Sequence, residues 1–63
     1  MAVDLRFKIA RQLAGLTQLR LAEAAGVTEA LITRIESGRA RPDRPTADKI
    51  AQVLNKRPWE VGI

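Results

Sequence analysis

The chain predicts a compact all-α domain of five short helical segments. Three observations lead there. Apolar residues recur at three- and four-residue spacing, no stretch alternates apolar and polar residues in the β manner, and Gly15, Gly26, Gly38, Pro42 and Pro58 punctuate the runs.

The first segment covers about Val3 to Ala14. Val3, Phe7, Ala10 and Ala14 share one face while Leu5, Ile9 and Leu13 share another, so periodicity leaves its inner face open. Gly15 ends it, Leu16 can pack back on the core, and Thr17 caps a second helix over Gln18 to Ala25. Two short helices crossing steeply need small residues at their closest approach, which Ala22 and Ala25 supply. The turn after them needs a residue at positive φ, which places the break at Gly26. Thr28 then caps a third helix running to about Ser37, with Glu29 against its positive end. Leu31, Ile32 and Ile35 form its buried face and leave Glu29, Ala30, Thr33, Arg34 and Ser37 outside, a small and polar surface. Pro42 closes the following loop. Asp43 caps a fourth helix over Arg44 to Asn55, with Pro45 tolerated in its first turn and Ala47, Ile50, Ala51 and Leu54 as its apolar face. A last turn from Pro58 to about Val61 brings Trp59 near the chain end, where it is expected to act as a lid over the core. Without repeat, low-complexity tract or linker, residues 1–63 read as one domain.

Composition narrows the function. A chain of 63 residues allows one modest core and is too short for a buried catalytic cavity of ordinary size. With no cysteine and no histidine, disulfides and thiolate sites are ruled out, no metal or other cofactor is called for, and an enzyme is not expected. No transmembrane run is present, and charges spaced through MAVDLRFKIA break any signal-peptide core, so a cytoplasmic location without membrane contact is expected. Eleven Lys and Arg against seven Asp and Glu give a net charge of +4 and a pI near 10.8, which favours polyanions. Arg39, Arg41 and Arg44 cluster in GRARPDRP directly after the third helix, where a loop can lie along a sugar-phosphate backbone.

Residues spread along the chain carry a resemblance. Arg11, Gly15-Leu16-Thr17-Gln18, Leu21-Ala22, Gly26-Val27-Thr28, Ile32, Glu36, Gly38, Pro42, Ile50-Ala51 and Leu54 fall in the register of a helix-turn-helix. The pattern resembles the amino-terminal DNA-binding domain of the lambdoid phage Cro and repressor family, most closely its 434-type repressors. The resemblance implies a five-helix, lambda-repressor-like domain whose second and third helices form the helix-turn-helix. It also implies binding of double-stranded operator DNA as a homodimer, with segment 28–37 in the major groove.

By position, the resemblance assigns Gln18, Glu29, Ala30, Thr33 and Arg34 to the reading surface. Gln18 would bond the DNA backbone and reach an outer base. Arg34 could pair with guanine, Ala30 pack on a thymine methyl, and Glu29 accept from a cytosine amine, although its simpler role is to stabilise the helix end. Thr17, Thr28 and Ser37 match phosphate-contacting positions, joined by Arg39, Arg41 and Arg44. Arg11 and Glu36 match a partly buried ion pair between the first and third helices. Three features depart from the family: Leu19 replaces an exposed polar residue, Lys56 an apolar one, and Leu5, Ile9 and Leu13 make an extra apolar stripe. That stripe could be covered by Trp59, Val61 and Ile63, or be used in self-association. Two other functions stay open: an engineered repressor-fold scaffold with little DNA affinity, and an antitoxin-like module that docks a partner through the stripe.

Overall fold

The computed structural model describes residues 4–63, folded as four α-helices and a terminal 3-10 turn, with no strand among the described residues. The helices are α1 (Arg6–Leu13), α2 (Gln18–Ala25), α3 (Glu29–Glu36) and α4 (Arg44–Val53), followed by the 3-10 turn Pro58–Val61. The all-α architecture is the one expected. Its segment ends differ in places. Val3 lies outside the described residues, and α1 begins at Arg6 with Leu5 at the N-cap position, where its side chain makes no capping bond. α4 stops before Asn55 because Asn55 takes φ 57°, a left-handed conformation that Asn tolerates, and the Lys56 N–H closes back on the Ala51 carbonyl at 2.9 Å.

Side-chain oxygens cap three of the helices. Thr17 Oγ1 accepts from the Arg20 N–H at 3.0 Å, Thr28 Oγ1 from the Leu31 N–H at 3.2 Å, and Asp43 Oδ1 from the Thr46 N–H at 3.0 Å. Each satisfies an amide that has no carbonyl partner inside its own helix. Between α2 and α3 the chain reverses at Gly26, at φ 71°, and the Val27 N–H reaches the Ala22 carbonyl at 2.9 Å. That is the closure a left-handed residue at a helix end permits.

The core draws on every element. Phe7 of α1, Leu21, Ala22 and Ala25 of α2, Ile32 and Ile35 of α3, and Ile50 of α4 meet Leu54 and Val61. Ala22 is 1% exposed, which puts a small side chain where α2 is pressed into the core. Tertiary packing decides the inner face of α1: Phe7 is buried and Ala10 packs beside it, whereas Ala14 is exposed.

One expectation needs correction, and one of the alternatives left open for the stripe on α1 falls with it. Trp59 is no lid, since it is 69% exposed, and the stripe stays uncovered, with Leu5, Ile9 and Leu13 exposed by 52%, 49% and 84%. The geometry of the last turn explains Trp59. At three residues per turn, side chains two apart point about 120° away from each other, so burying Val61 swings Trp59 outward. Its backbone still serves the fold, because the Trp59 carbonyl accepts from Arg6 Nη1 at 3.2 Å.

Candidate nucleic-acid interface

The turn from Gly26 to Thr28 sets α3 on α2 with one side against the core and the other free. Ile32 and Ile35 are buried and Leu31 is half-buried, while Glu29, Ala30, Thr33, Arg34 and Ser37 are all exposed. At about 100° per residue those five positions fall within one arc of roughly 140°. A helix about 10–12 Å across, presented by one face, matches a DNA major groove about 12 Å wide.

Behind that face lies a polar relay. Arg11 Nε donates to Glu36 Oε2 at 2.5 Å and Arg11 Nη2 to Glu36 Oε1 at 3.4 Å, while Arg11 Nη1 donates to the Leu16 carbonyl at 2.7 Å. Both side chains are close to buried, at 10% and 7% exposed. One guanidinium therefore ties α1 to the chain entering α2 and to the end of α3, with the fork geometry that suits arginine to a carboxylate. Glu36 Oε1 also accepts from Gln18 Nε2 at 3.1 Å, and Gln18 Oε1 accepts from the Thr33 hydroxyl at 3.0 Å. The Thr33 hydroxyl also lies 3.2 Å from the Glu29 carbonyl, an alternative acceptor for its single proton.

Around this frame the polar groups differ in what they can still offer. Thr17 and Thr28 use their oxygens as caps, which leaves each hydroxyl proton for an acceptor outside, such as a phosphate. Ser37 spends its proton on the Arg34 carbonyl at 3.1 Å. The same carbonyl accepts from the N–H groups of Arg39 and Ala40 at 2.8 and 3.3 Å, so the arginine loop is folded back onto the end of α3. Arg39, Arg41 and Arg44 are exposed, and none belongs to the two ion pairs found among the described residues, Arg6–Asp4 and Arg11–Glu36. Asp43 sits among these arginines, but its carboxylate is turned to Thr46, whose side chain and N–H together hold it below the usual carboxylate range. Among the described residues, no group of three or more His, Cys, Asp or Glu could hold a metal ion.

The structure thus gathers Glu29, Ala30, Thr33 and Arg34 on one exposed face and puts the arginine loop at its C-terminal end. Gln18 is placed otherwise than a free contact residue would be: its side chain lies across α3, with both amide ends bonded to it. Sequence reasoning missed that bridge and the Leu16 carbonyl as an arginine acceptor, because neither leaves a mark in local spacing.

An exposed polar helix face held by a partner helix packed into the core through Leu21, Ala22 and Ala25, with cations at its end, defines a DNA-binding helix-turn-helix. A Helix-turn-helix family model matches residues 7–60, and the chain belongs to that family of DNA-binding transcription regulators. Comparison with curated proteins and with solved structures gave no match.

Proposed function

We propose that this chain is a sequence-specific, double-stranded DNA-binding regulator of the lambdoid phage repressor type, acting without catalysis in the cytoplasm as one domain over residues 1–63. The observation that carries the reading is the division of α3 into a buried side and an exposed polar side, followed at once by three arginines that form no ion pair among the described residues. Segment 28–37 enters the major groove. There Arg34 donates to guanine, Ala30 packs on a thymine methyl, and Glu29 accepts from a cytosine amine. Thr17, Thr28 and Ser37 with Arg39, Arg41 and Arg44 grip phosphates; Ser37 must first release its proton from the Arg34 carbonyl. Two copies sit on a symmetric operator with half-sites about one helical turn apart. The exposed Leu5, Ile9 and Leu13 favour one second reading, a protein-docking module of the antitoxin kind.

The test is a titration against a randomised duplex pool at two salt concentrations. Specific binding enriches defined sequences at both; binding without enrichment that vanishes at the higher salt refutes operator reading. Arg34→Ala should change the preferred base at one position, whereas Arg41→Ala should weaken all sequences alike and lower the salt slope by about 1. The opposite pattern would show that the two roles are exchanged.

A further inference from the structure

We infer that the groove around Trp59 is the surface on which a second copy of this chain docks, and that double-stranded DNA switches the contact on. The inference rests on the operator reading above, which needs two copies, and names the surface they share.

Of the two aromatic residues, Phe7 is buried and Trp59 is 69% exposed. Trp59 lines a groove of about 460 Å3 between the start of α4 and the last turn, with Pro42, Ala47 and Ile63 as apolar walls. An indole left in water adds nothing to the core, whereas tryptophan is among the residue types that most often anchor a protein interface. The groove is open to a side chain from outside, and its own Trp59 is offered outward. One two-fold operation satisfies both, since each copy's indole then enters the other's groove.

The charges on this surface fit a copy of themselves. Asp48, Arg44 and Arg57 line the groove, all three are exposed, and none belongs to either ion pair found among the described residues. Turned face to face, Asp48 of one copy meets Arg44 or Arg57 of the other, and an arginine over the indole adds a cation–π contact. The stripe of Leu5, Ile9 and Leu13 has no such match. Lys8 stands beside it, exposed and in neither ion pair, while the nearest acid in sequence, Asp4, is bonded to Arg6, so two copies meeting there bring like charges together.

Pro42 and Arg44 belong both to the groove and to the loop that carries Arg39 and Arg41. Docking therefore draws the loop arginines of both copies together, on chains that each carry a net charge of +4. Free chains at low salt repel one another at this surface. Salt screens that repulsion, and the phosphates of a shared duplex neutralise it.

The first arm of the test uses the full chain without DNA, at low and at high salt, up to millimolar concentration. Sedimentation equilibrium should show a monomer at low salt and a weak dimer at high salt, and dimer formation should move the emission of Trp59, the sole tryptophan, to shorter wavelength. Trp59→Ala, checked for native helix content by circular dichroism, should stay monomeric at both. A monomer at both salts, a dimer favoured by low salt, or a dimer that leaves Trp59 emission solvent-like or survives Trp59→Ala overturns the inference. The second arm compares duplexes carrying one copy, or an inverted pair, of the half-site that the randomised pool enriches. On the pair, the parent should bind its second copy about tenfold or more tightly than its first, with the same emission shift. Trp59→Ala should match the parent on the single half-site and lose that gain on the pair. A gain that is absent in the parent, or that survives Trp59→Ala, overturns the inference and leaves operator reading in place. A pool with no enriched sequence refutes operator reading, and the DNA-free arm still decides the interface.

Discussion

Arg11→Met removes the guanidinium while keeping most of the aliphatic stem, and its cost follows from what is left behind. Glu36, 7% exposed, loses the donor at 2.5 Å to Oε2 and keeps only Gln18 on Oε1; the Leu16 carbonyl loses its 2.7 Å partner. Stranding one member of a buried ion pair costs about 3–5 kcal/mol. At about 0.05–0.15 kcal/mol per residue, a chain of this length has about 3–9 kcal/mol in total. The single variant should therefore lose a third of its stability or more and begin to unfold at modest temperature. Replacing both charges, Arg11→Met with Glu36→Leu, should recover most of the loss, since the penalty belongs to the unpaired charge rather than to the missing attraction. Urea unfolding followed by far-ultraviolet circular dichroism of the parent, the Arg11→Met and Glu36→Leu single variants and the double variant completes a double-mutant cycle. Trp59 fluorescence is the poorer probe, because that side chain is already in water. An Arg11→Met variant within about 0.5 kcal/mol of the parent, or a double variant as unstable as the single, would refute the reasoning.

Core and surface should respond oppositely: Leu21→Ala, at a fully buried site, is expected to cost about 2–5 kcal/mol, while Trp59→Ala should stay within about 0.5 kcal/mol of the parent, both read from urea midpoints. Gly26→Ala should cost about 1–2 kcal/mol for backbone reasons alone, because Gly26 stands at φ 71° and an added Cβ meets nothing within 4 Å; a near-zero change in urea stability would contradict that. Acid should destabilise the fold through Asp4 and Asp43. The Arg6 side chain and backbone bonds hold Asp4 down at about 2 against an ordinary 3.8, and the Thr46 bonds hold Asp43 low as well. Both contributions are complete above the ordinary carboxylate value and fade as pH falls through the lowered one. Urea midpoints of an Asp4→Asn, Asp43→Asn double variant should accordingly vary less between about pH 4 and pH 2 than those of the parent, and an equal slope would exclude these carboxylates as the cause.

The limits of α2 could be read directly from the chain, because Thr17 and Gly26 act within their own turn. The overlong reading of α4 has the same local origin in reverse. Apolar spacing runs on through Leu54, and only the left-handed Asn55, with Lys56 closed onto Ala51, shows where the helix ends. The exposed face of α3 was legible as well, since the positions of Ile32 and Ile35 imply those of Glu29, Ala30, Thr33 and Arg34.

What the chain determined unaided was therefore whatever rests on contacts within about four residues: the caps, the stops, and the division of α3 into inner and outer sides. Tertiary structure alone decided the inner face of α1, where two apolar stripes competed and Phe7 was the one that met the core. It turned Trp59 into solvent to bury Val61, and it laid Gln18 across α3 between Thr33 and Glu36. Such choices depend on partners that meet only once the helices are packed, so periodicity, which records a residue's own helix and nothing else, is silent about them.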